Sequence, residues 1–278
     1  MSKSVKIIVL AIFCMAFTIP VNYPIDGYQT TGIKRLKRLQ LSIAGDLPSA
    51  DLPPGAFKSI KDIKLNLISR KKDSASTILV QNGELQKKIN ALFPKLDKSY
   101  SVTVLDITDP ANLRYAQQNE TRGYQPGSVG KLAVITGLFD QLAKIYPNSW
   151  EKRTELLKNK SVRAGNWALT DEHTVPFFNT ETNKLVKRQV VASDVFTLYE
   201  WADHMLSVSN NGAASVLWRE VLLMAAFGND YPTLTELEAN DYFKNTVKKT
   251  LTDLGNDVVN LPLRNLGITS DEWRLGAF

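Results

Sequence analysis

The sequence predicts a mixed fold of the α/β class in its α+β form, a helical body beside a small antiparallel sheet. Three observations lead there. Ser101 to Ile107 alternates with β-branched residues, and the turn cluster Thr108 to Asn112 leads into a second extended run, Leu113 to Ala116, which is the pattern of a hairpin. Later stretches, Leu132 to Ile145, Ser193 to Leu206 and Ala213 to Phe227, carry apolar residues at helical spacing. With 44% hydrophobic and 22% charged residues, 278 residues are ample for one large domain or two small ones.

The chain begins with Lys3 and Lys6, then the apolar run Ile7 to Ile19 and the helix breaker Pro20. That run is short for a bilayer span and suits a signal peptide or, if uncleaved, a membrane anchor over residues 1–20. Export to the periplasm or envelope of a bacterium is the expectation. Residues 21–76 read as an arm packed on a main domain, rich in turn formers such as Pro48, Pro53, Pro54 and Gly55. From Met1 to Asp73 there are twelve Lys or Arg against five Asp, so the excess of the +6 net charge sits in this arm. Such a surface is either a solvated face or a point of association with membrane or cell wall. Nucleic acid is excluded as a partner by the export signal and by the lack of aromatic residues among those charges.

The main domain is expected over residues 77–278. Leu85, Ile89, Leu92 and Phe93 mark a short helix before Pro94, and the hairpin follows. The loop from Gln117 to Gly127 delivers Ser128 to a helix whose apolar face is Leu132, Ile135, Leu138, Phe139 and Leu142. Tyr146 to Val190 is polar and turn-prone, with a short helix near Glu151 to Leu157 and Trp150, Trp167, Phe177 and Phe178 as anchors. Ser193 is the expected cap of the next helix, with Val195, Leu198, Trp201, Met205 and Leu206 on its apolar face. It stops at the polar knot Ser207 to Gly212, where Asn211 is placed to cap the buried run Ala213 to Phe227, which ends at Gly228. An amphipathic helix around Asp241 to Leu254, stopped by Gly255, comes last.

Ser128 and Lys131 lie three apart at the start of a helix, so hydroxyl and amine share a face. A serine becomes a nucleophile when a neighbouring base takes its proton, and a lysine becomes that base when burial lowers its pKa. The spacing alone carries little weight, since Ser69 and Lys72 repeat it in a charged segment. One Cys, Cys14, and two His, His173 and His204, exclude a disulfide framework and a Cys/His zinc site, so no metal and no cofactor are expected.

Pro126-Gly127-Ser128-Val129-Gly130-Lys131, followed by Ser207-Val208-Ser209-Asn210-Asn211, resembles the serine β-lactamase and penicillin-binding protein superfamily, whose signature runs S-x-x-K, S-x-N, K-[TS]-G. The match is closest to class A β-lactamases and covers about Glu84 to Leu223, with Asn210 where an Asp is usual. The resemblance implies a β-lactamase/transpeptidase-like fold, of which only the N-terminal hairpin of the sheet is present. It also implies a hydrolase forming an acyl-enzyme on Ser128, with Lys131 as base, Ser209 as proton relay and Asn211 orienting substrate and lysine. Oxyanion donors would be the backbone N–H of Ser128 and one from a strand. No Lys-[Thr/Ser]-Gly follows Asn211, which sets the expectation of a carboxyl-terminally truncated domain. Glu236 and Asn240 repeat the spacing of the deacylating glutamate, although an exposed helix start explains Glu236 equally well.

Three functions follow. A β-lactamase-type hydrolase acting on β-lactam or related amide bonds, as in antibiotic resistance, needs a base for deacylating water. A D-alanyl-D-alanine peptidase or transpeptidase acting on peptidoglycan peptide shares only the acylating residues, and a catalytically inactive binding homologue needs neither. A monomer is expected. His204, alone on a helix, reads as structural.

Overall fold

The computed structural model describes residues 27–48, 80–92, 99–109, 111–168, 171–265 and 267–270. The signal-like segment, Ser69 and Lys72, and the closing Gly276 to Phe278 lie outside the described residues.

In chain order the described residues form α1 (Gly27–Thr31), α2 (Lys34–Ala44), α3 (Gly83–Leu92), β1 (Val102–Asp106), β2 (Arg114–Gln118), α4 (Lys131–Ile145) and α5 (Trp150–Asn159). Strands β3 (Ser161–Arg163), β4 (Val175–Asn179), β5 (Lys184–Arg188) and β6 (Val195–Thr197) follow. The chain continues through α6 (Leu198–Ser207), α7 (Asn211–Phe227), α8 (Glu236–Asn245) and α9 (Lys248–Asn265). The fold is mixed α/β with small antiparallel sheets, pairing β1 with β2, β3 with β6 and β4 with β5. This corrects the expectation of a single hairpin. β5 is almost wholly exposed and built from Lys184-Leu185-Val186-Lys187-Arg188, so it carries no alternation to betray it. What closes the β4–β5 turn is the Asn179 side chain, which accepts from the backbone N–H of Glu181 and of Thr182, each at 2.9 Å.

The described residues fall into two compact units, one drawn from residues 60–126 and the other from 1–59 and 127–278. In the smaller unit α3 is tied to β2 by Asn82, whose N–H donates to Tyr115 O at 2.7 Å, and by Gln86, which pairs with the backbone of Gln117. Tyr124 belongs here, with its hydroxyl on Ser99 O at 2.6 Å.

In the larger unit α4, α6, α7 and α9 pack around Leu138, Leu142, Leu198, Trp201, Met205, Val216, Leu217 and Val221, all fully or almost fully buried. The buried face of α4 is Ala133, Val134, Gly137, Leu138, Gln141 and Leu142, rotated from the expected one, and Leu132 and Phe139 are exposed. Gly137 lets α4 approach α9, since a Cβ there would stand 2.9 Å from Val258 O. Gly255 does not stop a helix. It lies inside α9, where a Cβ would meet Trp218 Cζ2 at 3.0 Å, so close packing and not chain reversal explains the glycine. Trp150 is exposed and anchors nothing, whereas Trp167 packs on Phe243 with ring centroids 5.0 Å apart.

The helix expected from Ser193 begins at Leu198. Val195-Phe196-Thr197 is taken by β6, and Thr197 with Glu200 forms a capping box, in which each side chain accepts from the other's backbone N–H. Likewise the cap of α7 is Asn210, one residue earlier than expected, with its side chain accepting from Ala213 N at 2.7 Å. The described part of the basic arm lies on this unit through Arg35, which pairs with Asp203 on α6, and through Lys34, whose N–H donates to Glu200.

Candidate active site

Gly127 takes φ +52, a left-handed turn that only glycine adopts freely, and the 3₁₀ turn Gly127–Gly130 then runs straight into α4. Ser128 is carried on that turn and stays exposed. Lys131, the first residue of α4, is buried at 8% relative exposure. Its Nζ donates to Ser128 Oγ at 3.3 Å, as the three-residue spacing predicts.

The third member comes from far along the chain. After α6 ends, Ser209 adopts φ +59, rare for a residue with a side chain. This conformation turns both its oxygens toward the lysine: Nζ donates to Ser209 Oγ at 3.0 Å and to Ser209 O. Ser209 Oγ in turn donates to Ser128 Oγ at 2.9 Å. Backbone strain of about 1–3 kcal/mol persists where surrounding structure holds it, here the Asn210 cap and the lysine contact. Ser128, Lys131 and Ser209 therefore close a hydrogen-bonded triangle spanning 81 residues of sequence.

Burial pushes the Lys131 amine below its ordinary range, and the nearby carboxylate of Asp171 opposes this without cancelling it. A lysine deprived of solvation gives up its proton more readily, and the neutral amine has a lone pair to receive one from Ser128.

Asp171 escaped sequence reading altogether. It is 8% exposed, and its carboxylate accepts from the backbone N–H of Asn211, from Asn211 Nδ2 at 3.3 Å, and from His173, through N at 3.2 Å and Nδ1 at 2.6 Å. Burial works against the anion, but these donors outweigh it and hold Asp171 below the usual carboxylate range. Asn210 Nδ2 adds a bond to His173 O at 2.9 Å, so residues 171–173 are stitched to the turn that carries Ser209. The only sequence signal was the Asp-x-His spacing, which lies in a stretch without periodicity.

Asn211 is exposed, and its side chain faces Asp171. Glu236 stands apart from this cluster: it opens α8, pairs with Arg163 at 3.3 Å and lines a small cavity with Lys160, Arg219 and Tyr231. Thr235 caps α8 with Glu238 in a second capping box, so the helix start accounts for this acidic stretch. His204 is packed edge-on against Phe196, with centroids 4.7 Å apart, and neither ring nitrogen has a hydrogen-bond partner among the described residues.

Among the described residues no group of three or more His, Cys, Asp or Glu is placed to hold a metal, and no helix is long and apolar enough to cross a membrane. The chain matches no protein-family model, no curated protein and no solved structure.

Proposed function

We propose that the chain is a serine hydrolase that forms an acyl-enzyme on Ser128, acting on β-lactam or related amide bonds in the bacterial envelope. The observation that carries this reading is the triangle of Lys131 Nζ, Ser128 Oγ and Ser209 Oγ, with sides of 3.3, 3.0 and 2.9 Å. Lys131, kept ready to lose its proton by burial, receives the hydroxyl proton of Ser128 as Oγ attacks the amide carbonyl. Ser209 bridges the two groups and passes a proton to the departing nitrogen. Asn211 and Asp171 hold the Ser209 turn in place behind them.

A D-alanyl-D-alanine peptidase acylated through the same three residues is the second reading, favoured by the engagement of Glu236 with Arg163, away from the nucleophile's partners. Incubation with a fluorescent penicillin and a chromogenic cephalosporin separates the two. The hydrolase labels at Ser128 and turns over the cephalosporin, the peptidase labels and holds the adduct, and Ser128→Ala abolishes labelling in either case. Unchanged labelling in Ser128→Ala rules out both.

A further inference from the structure

Acylation leaves the imidazole of His173, bound to Asp171, unused. We propose that His173, oriented by Asp171, is the base that activates water to release the acyl group from Ser128. This rests on the acyl-enzyme reading above.

A carboxylate only accepts, so the 2.6 Å contact with Asp171 Oδ1 places the ring proton on Nδ1 and leaves the lone pair on Nε2. The histidine side chain is 46% exposed beside an almost fully buried aspartate, and Nε2 has no hydrogen bond to the described residues. Asp171 is locked to Asn211, and His173 O to Asn210, so the ring stands on the same rigid piece as Ser209. The hydrogen-bond partners of Ser128 Oγ among the described residues are Lys131 and Ser209, which frees His173 for a second step. The charged group in contact with the ring is Asp171, from its own loop, and the Asp171 carboxylate is in turn close enough to Lys131 on α4 to act on its amine.

In that step a water oxygen bonds to the ester carbonyl carbon while Nε2 takes one of the water protons. The adduct collapses by breaking the bond from the carbonyl carbon to Oγ. Oγ takes back a proton that Lys131 and Ser209 relay from solvent, the imidazolium returns its own to that solvent, and the sum is ester plus water giving acid plus alcohol. Asp171 stabilises the transient imidazolium and fixes the tautomer, as a positioning residue.

The test uses the full chain and its His173→Ala, His173→Gln and Asp171→Asn variants. Each is labelled with a fluorescent penicillin, the adduct is located by mass spectrometry, and its decay is followed after free label is removed. His173→Gln keeps an N–H to bond Asp171, so it holds the loop while removing the base. Both His173 variants are expected to label at Ser128 as the wild type does but to release the label at least about 100-fold more slowly. Added imidazole restores part of the rate in His173→Ala. Asp171→Asn slows release less. Equal decay in wild type and both His173 variants overturns the assignment of His173 alone, whereas failure of the wild type to label at Ser128 overturns the acyl-enzyme reading itself.

Discussion

Lys131 and His204 are both buried bases at the two sides of one short turn, yet the protein treats them in opposite ways. Lys131 is 8% exposed and His204 3%, and in each case burial drives the pKa down, in His204 to about 4. Lys131 is surrounded by three oxygens, two of them hydroxyls. His204 is surrounded by rings, with Phe196 and Trp201 both edge-on to it. The same desolvation thus gives, on the reading proposed above, a base where hydroxyls converge, and a group that is merely intolerant of charge where they do not.

The largest effect is expected at the first of these. Lys131→Met keeps an apolar stem in the same slot and removes the base, so acylation should fall about 10²- to 10⁴-fold with folding retained. Wild-type acylation should rise with pH through the lowered Lys131 pKa, because the neutral amine is the acting form, and this rise should vanish in the variant. Stopped-flow acylation over a pH series checks both, and a Lys131→Met protein that acylates at the wild-type rate ends the contrast.

His204 provides the next largest. Its folded pKa, about 4, lies below the ordinary 6.5, so the unfolded chain binds the proton first and stability is lost as pH falls from about 6.5 toward 4. The shift corresponds to about 3 kcal/mol at full extent. His204→Leu should remove that part of the acid slope in chemical denaturation. At neutral pH it should change stability by less than about 1 kcal/mol, because the nitrogens it deletes have no partners. An unchanged slope would place the acid sensitivity in the carboxylates.

Ser209 gives the smallest stability effect and the clearest separation of roles. Ser209→Gly relieves the left-handed φ while deleting the bridging hydroxyl, so stability should stay within about 1 kcal/mol of wild type. Labelling should nevertheless slow, and equal labelling would reduce Ser209 to a turn residue.

Much of this was legible in the sequence for local reasons. The hairpin showed in its alternation, α4 and α7 in their apolar spacing, and Ser128 with Lys131 in a three-residue step that any helix start converts into contact. Less was legible where signals competed. Val195-Phe196-Thr197 has helical phase with Leu198 and Trp201, but pairing with β3 and the Thr197–Glu200 capping box prevailed. Gly255 read as a stop because glycine ends helices far more often than it admits a tryptophan, yet here it makes room for Trp218. Between Tyr146 and Val190 the strands β3 and β5 are short and largely exposed, so no pattern distinguished them from loop.

By itself the sequence determined which groups could react and how each sits in its own turn of helix: a hydroxyl and an amine in register on one helical start, a second hydroxyl in a polar knot, and a histidine among apolar residues. Only the tertiary structure decided that Ser209 reaches Ser128, that Asp171 and His173 join the Ser209 turn, and that Lys131 is buried. Helical phase needs only neighbours in the chain. Desolvation and contacts across 81 residues depend on which faces α4, α6 and α7 bury against one another.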